Sequence, residues 1–194
     1  MANIEKQRLR HQALDRRTGQ PEKDRVSSLI HEQLHRIPGI AERQNWMIYV
    51  SVRTEVRTWQ LIESRLVNGQ PVFVPYCRGQ QLSIFHLKDA THLQRGSFGL
   101  LEPAPQFRKQ AELHADITEM DVIIVPGVAF DRHTCHRIGY GKGYFDRFLA
   151  AAPASVLKVG VAFECQLFES IPTDEHDVPV DVVVTEQSLI VPTR

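Results

Sequence analysis

The run VIIVPG, residues 122–127, places four β-branched residues in a row and ends them with a proline–glycine turn. A strand wetted on one side alternates apolar with polar side chains, whereas an unbroken apolar strand needs cover on both faces. Short runs of similar texture recur at WMIYV (46–50), PVFVPY (71–76), LSIFHL (82–87), LKVGVAF (157–163) and VDVVVTE (180–186). Between the first two lies WQLIESRLVNG, an apolar pattern of helical spacing closed by a glycine. Strands alternating with helices predict an α/β domain with a mostly parallel central sheet.

Upstream of that region, residues 4–17 read as a polar, basic helix with a thin apolar stripe of Ile4, Leu9, Ala13 and Leu14. Pro21 suits the first turn of a second helix carrying Val26, Leu29, Ile30, Leu34 and Ile37, which Pro38 and Gly39 stop. Residues 89–120 show no clear period and read as a long surface excursion. The 194 residues suit a single domain, 1–194. Lys plus Arg and Asp plus Glu number 23 each, a balance that argues against a general nucleic-acid binder. No apolar run approaches the roughly 20 residues of a membrane span, and MANIEKQRLRHQ lacks the apolar centre of a signal peptide. Cys77, Cys135 and Cys165 are odd in number and scattered, so no disulfide framework is implied and a reduced, cytoplasmic setting is expected.

The stretch RIGYGKGYFDRFL, residues 137–149, carries the chemistry. Three glycines at alternate positions weaken any regular element, and here they lie between a strand end and a helical pattern. Backbone N–H groups freed of side chains approach phosphate closely, and Arg137 and Lys142 add full charges. This composition makes a phosphate cradle. Lys142 is followed by Gly143, so the Walker A pattern fails, and the spacing Gly139, Gly141, Gly143 also misses the dinucleotide fingerprint. A dinucleotide-dependent oxidoreductase stays open only through Glu164, which lies where a ribose-binding acid would fall. Asp146 can serve as a magnesium ligand, with a second acid available among Asp174, Glu175, Asp177 and Asp181.

The segment VPGVAFDRHTCHRIGYGKGYFDRFL resembles the signature of the 5-formyltetrahydrofolate cyclo-ligase family, P-x-x-A-F-D followed by R-L-G-x-G-x-G-Y-Y-D-R. KQRLR is similar to that family's K-x-x-x-R helix. YVSVRTEVRT with NGQPVFVPYC, then FGLLEP, then HDVPVDVVVTE resemble its later blocks, so the resemblance spans nearly the whole chain. It implies a three-layer α/β domain with helices on both faces of the sheet. The implied activity is ATP-dependent conversion of 5-formyltetrahydrofolate to 5,10-methenyltetrahydrofolate with release of ADP and phosphate, aided by Mg²⁺. Nucleotide contacts are implied for Lys6, Gln7, Arg8, Leu9 and Arg10, and for Arg137, Ile138, Gly139, Tyr140, Gly141, Lys142, Gly143, Tyr144 and Phe145. Within these, Arg137 and Lys142 are the catalytic charges. Folate contacts are implied for Val50, Glu55, Tyr140, Gly141, Lys142, Gly143 and Tyr144, and metal contacts for Asp146 and Asp177.

The Glu55 carboxylate suits the amino-pyrimidine edge of a pterin, although an acid beginning a helix reads equally as a plain helix-start residue. Phe98 and Tyr144 suit aromatic walls for a flat pterin, although core packing explains Phe98 equally well. The turn DRHTCHR is one residue longer than the family's form and lacks its glycine, and Phe145 stands where a tyrosine is common. That departure keeps a non-catalytic folate- or nucleotide-binding homologue as an alternative. Three donors as close together as His133, Cys135 and His136 do not converge easily on one metal ion. The expected partners are small molecules, with neither nucleic acid nor membrane, and the chain is expected to be a monomer or weak dimer.

Overall fold

The computed structural model describes residues 2–96 and 101–193, and the chain opens with two helices, α1 (Ala2–Gly19) and α2 (Lys23–Leu34). Strand β1 (Trp46–Ile48), helix α3 (Trp59–Val67) and the hairpin β2 (Val72–Arg78) and β3 (Gln81–His86) follow. Next come β4 (Leu93–Arg95), β5 (Leu101–Pro103) and β6 (His114–Ala115). The VIIV run is β7 (Val122–Val125), succeeded by β8 (Ala129–Asp131), β9 (Arg137–Ile138) and helix α4 (Tyr144–Ala150). The chain closes with β10 (Leu157–Val161), β11 (Leu167–Phe168), β12 (Val182–Val184) and β13 (Leu189–Ile190).

An eight-stranded sheet runs in the order β13-β12-β10-β7-β1-β2-β3-β6. The central strands β12, β10, β7, β1 and β2 are mutually parallel, and only β13, β3 and β6 pair antiparallel. All four residues of β7 are fully buried, and they divide between two cores. Val122 and Ile124 pack with Ile30 and Leu34 of α2 and Leu61 and Ile62 of α3. Ile123 and Val125 face the other way, toward Leu149 of α4 and Phe130 of β8. Each such side chain gains about 1.5–3 kcal/mol by leaving water, which is why this strand carries no polar alternation. The layers are therefore α2 and α3, the sheet, and then α4 with a small sheet ordered β11-β8-β9.

Helix α1 lies outside this second layer and buries Leu9 and Ala13 against Val128, Ala129, Ile138 and Ile171. Phe130 fills the space between the small sheet and the central one. A Cβ at Gly160 would sit 2.7 Å from its ring, and one at Gly127 2.4 Å. Helix α3 ends as its glycine foretold: Gly69 takes φ +66°, Gly69 N donates to Leu66 O (3.1 Å) and Gln70 N to Arg65 O (2.9 Å).

Three local readings differ from the structure. Pro21 lies before α2 rather than in its first turn, because Glu22, at φ +46°, forms the N-cap. Ile37 is buried beyond the helix, carried inward by a turn after Leu34. Residues 89–120 are not wholly a surface excursion. Asp89 and Asp116 cap short 3₁₀ turns, and β6 re-enters the central sheet beside β3.

Candidate functional site

The carboxyl ends of β1, β7 and β10 lie at one edge of the sheet, where open parallel sheets receive ligands. The loop between β9 and α4 crosses this edge. Gly141 and Gly143 take φ +91° and +64°, conformations that favour glycine, and Gly143 caps α4. A side chain at Gly141 would meet Arg10 Nη2 at 3.5 Å, and one at Gly143 would meet Arg147 Nη1 at 2.9 Å. The loop is pinned on two sides. Arg10 Nε donates to Gly139 O (2.8 Å), while Tyr144 Oη donates to Gly79 O (3.2 Å) and Arg147 Nη2 to Gln80 O (3.0 Å). Lys142 is exposed on the loop between these anchors. Helix α4 has only seven residues, so the loop amides and side-chain cations, rather than a long helix dipole, supply the positive field.

Helix α1 presents Lys6, Arg10 and Arg17 to the same region. Lys6 Nζ bonds Asp174 Oδ2 (2.6 Å) and Asp177 Oδ2. Burial works against the Lys6 ammonium, yet its bonds to these two carboxylates outweigh that and raise its pKa. Gln7 and Arg8 face solvent, and Arg8 bonds Glu5. Leu9 is a core residue, as is Ile138 on β9. Of the five N-terminal positions the resemblance pointed to, the fold thus brings the side chain of Arg10 to the glycine loop and that of Lys6 to Asp174 and Asp177.

Arg137 is buried just before the glycines. Its Nη2 donates to Asp146 Oδ1 (2.9 Å) and its Nη1 to Val178 O (2.6 Å). Burial pulls its pKa down, and the charges of Asp146 and then Asp177 oppose that pull. A guanidinium does not deprotonate in practice, so Arg137 is a fixed cation facing two carboxylates. Partial burial also works against Asp177, but hydrogen bonds from Lys6 and the Asp174 backbone hold its pKa below the ordinary carboxylate value. Asp146 Oδ2 and Asp177 Oδ1 accept no hydrogen bond from another described residue. Such hard oxygen donors fit Mg²⁺, which commonly takes one or two protein carboxylates and completes its shell with water and substrate phosphate.

Among the described residues no cluster of three or more His, Cys, Asp or Glu side chains could hold a metal by itself. His133, Cys135 and His136 do not converge. Cys135 turns inward toward Ile190 O, and its thiol is pushed up to about 11 by burial and by Asp131. The DRHTCHR turn closes through Asp131, whose Oδ1 accepts from His133 N (2.8 Å) and Thr134 N (2.7 Å).

Glu55 lies in the turn between β1 and α3, four residues ahead of the helix, so it is not a helix-start acid. It is buried, and its Oε2 accepts from Val52 N (2.9 Å). Its pKa is pushed up by burial, against the pull of the Val52 N–H, Arg17 and Tyr140. Val50 is half-buried, two residues beyond the end of β1. Phe145 packs at the margin of both cores. Phe98 lies outside the described residues.

Sequence reasoning missed Arg17, buried to 1 % exposure. Its guanidinium donates to Thr54 Oγ1 (3.1 Å), Gly127 O (3.3 Å) and Tyr140 Oη (2.6 Å). Spacing held the signal: Arg17 follows Arg10 by two helical turns and so shares its face. Glu164, offered as a ribose acid, is instead engaged by Arg132 (3.0 Å) and Thr185 (2.6 Å). Strand β7 also leads into a hairpin rather than a helix, which removes the structural context of the dinucleotide fingerprint.

The model of the 5-formyltetrahydrofolate cyclo-ligase family matches residues 2–186. A Schizosaccharomyces pombe protein described as a probable 5-formyltetrahydrofolate cyclo-ligase is 32 % identical over 181 residues, covering 86 % of this chain and 87 % of its own length. The 5-formyltetrahydrofolate cyclo-ligase of Haemophilus influenzae is 33 % identical over 158 residues, 77 % of this chain and 81 % of its own. The NMR structure of Aquifex aeolicus 5,10-methenyltetrahydrofolate synthetase superposes with a TM-score of 0.82 at 32 % identity, covering 97 % of this chain and 93 % of that one.

Proposed function

The chain belongs to the 5-formyltetrahydrofolate cyclo-ligase family, and from that premise we propose that its glycine loop and basic first helix hold ATP against 5-formyltetrahydrofolate for phosphoryl transfer and ring closure. The γ-phosphoryl passes to the N5-formyl oxygen and ADP leaves. N10 then attacks the activated carbon and gives up its proton, the new C–N bond closes the ring, and the C–O bond breaks to release phosphate. The product is 5,10-methenyltetrahydrofolate. A formyl oxygen leaves poorly until it carries a phosphoryl group, which is why the closure consumes ATP. The chain acts mainly by positioning and by offsetting charge.

Lys6 and Arg10 grip the nucleotide phosphates, with the amides of residues 139–143 beneath them. Arg137 and Lys142 offset the charge that moves with the phosphoryl group. Asp146 and Asp177 would hold Mg²⁺, which when bound would neutralise phosphate charge. Glu55 and Val50 take the pterin side, with Tyr140 and Tyr144 between the two substrates. Leu9 and Ile138, whose side chains lie in the core, contribute backbone only, and Gln7 and Arg8 border the nucleotide from outside.

The observation that carries this reading is the buried Arg137, set between Asp146 and a glycine loop that Arg10 ties to α1. Mixing the protein with Mg·ATP and 5-formyltetrahydrofolate should give a growing methenyl absorbance matched by ADP. Absence of product across a magnesium titration would remove the proposal. Among the described residues no helix is long and apolar enough to cross a membrane. A cytoplasmic monomer or weak dimer acting on small molecules is part of the same proposal.

A further inference from the structure

Tyr140 is 53 % exposed, yet its hydroxyl is held from two sides. Arg17 Nη2 donates to it at 2.6 Å, and the hydroxyl in turn donates to Glu55 Oε1 at 3.4 Å. An exposed tyrosine with a free hydroxyl samples several rotamers, whereas this ring is fixed at its far end and offers a face to solvent. Arg17 forms no salt bridge among the described residues, and the carboxylate it serves is reached through the phenol. Its remaining donors fasten Thr54, beside Glu55, and Gly127, at the end of β7. Three separate segments of the substrate edge therefore converge on one planar guanidinium, whose fork suits several fixed acceptors at once.

We infer that Arg17 is a positioning residue for the folate pocket: it clamps Tyr140 and Glu55 together, so that the ring forms a rigid stacking face beside the carboxylate. This rests on the reading that Glu55 meets the pterin. A buried carboxylate and a buried guanidinium are each costly unless compensated, and the phenol lets them compensate one another without contact. The charged and titratable groups facing Glu55 are Arg17 from α1, Tyr140 from the glycine loop, Tyr49 from the end of β1 and Arg53 from its own turn. Arg17 and Arg53 favour its charged form, and burial opposes it.

The test combines carboxyl ¹³C titration of the whole protein, with Glu55 assigned through Glu55→Gln, and steady-state kinetics for both substrates. Arg17→Met and Tyr140→Phe should each move the Glu55 titration to higher pH. They should raise KM for 5-formyltetrahydrofolate about tenfold, the size of a hydrogen bond to a charged group, and change KM for ATP less. Arg17→Lys, which keeps the charge, should leave the titration near its original place. Tyr140→Phe changes an exposed ring by one hydroxyl, so it reports even if Arg17→Met fails to fold. A Glu55 titration unmoved in folded Tyr140→Phe overturns the inference. A titration that moves while Glu55→Gln leaves the folate KM unchanged overturns instead the assignment of Glu55 to the pterin, and with it the pocket role of Arg17.

Discussion

Glu55, which we propose meets the pterin, sets binding against folding. Burial raises its folded pKa above the unfolded value, so its favourable contribution is complete below the unfolded pKa and is lost as pH rises through the folded one. Once ionised in the folded protein, the acid is therefore a burden on the fold. Glu55→Gln, whose amide oxygen can still accept the Val52 N–H, should be as stable as the parent near pH 4 and more stable near about pH 8. Urea midpoints across that range measure this, and a variant that loses stability as pH rises would contradict it. Asp146 serves the fold through its ion pair with Arg137. Asp146→Asn removes the hydrogen-bonded counter-charge of the buried Arg137, leaving only the more distant Asp177, and should cost about 1–3 kcal/mol, less than a fully buried pair because Asp146 is partly exposed. The same variant should lower activity and weaken its magnesium dependence. An unaltered magnesium titration curve would take the metal role away from Asp146.

At the scale of elements, Phe130 and Gly160 form a lock between the small sheet and the central one. Gly160→Ala would place a methyl 2.7 Å from a ring with no room to retreat, an overpacking that costs about 1–3 kcal/mol. Pairing it with Phe130→Leu should recover part of that loss, and a double-mutant cycle with no coupling would refute the contact as the cause. The elements that locked most firmly were also those most legible in the sequence. VIIV and the other β-branched runs are strands because two cores need them, and Gly69 ends α3 because only a left-handed residue completes its cap. The two-residue strands β9 and β11 were not legible, since their pairing depends on partners far along the chain. The same holds for the site. The composition of RIGYGKGYFD suggests a phosphate loop with Asp146 beside it, whereas only the family resemblance singles out Asp177 among the acids of residues 174–181. Spacing puts Arg17 on the face of Arg10 but does not reveal its burial or its role, because its three acceptors come from three loops that only the fold brings together. Cys135 in the DRHTCHR turn is similar: it occupies φ +56°, a conformation suited to glycine, and its burial in the second core helps offset the roughly 1 kcal/mol of strain.

For the molecule as a whole, α1 behaves as a strap across the substrate edge rather than as a pillar of the core. It buries Leu9 and Ala13, while Ile4 is 73 % exposed, and much of its attachment is polar. Those polar ties are Lys6 to Asp174 and Asp177, Arg10 to Gly139 O, and Arg17 to the inner loops. Two of the groups that fasten the helix, Lys6 and Arg10, are thus the groups proposed to grip phosphate. Nucleotide binding and strap closure should then be one coupled event. A Mg²⁺-bound, non-hydrolysable ATP analogue should slow amide exchange in residues 4–17 and 137–146 more than in β7 or β10, whose protection already approaches that of global unfolding. At a hundredfold excess over Kd it should add about 2.7 kcal/mol to stability. Lys6→Met loosens the strap at its free end, and should raise KM for ATP about tenfold with a smaller effect on the folate KM. In that variant the analogue's protection of residues 4–17 should shrink while protection around Arg137 persists. If the folate KM rises more than that for ATP, or if exchange in α1 is indifferent to nucleotide, the strap is only a structural cover and the phosphates are held elsewhere.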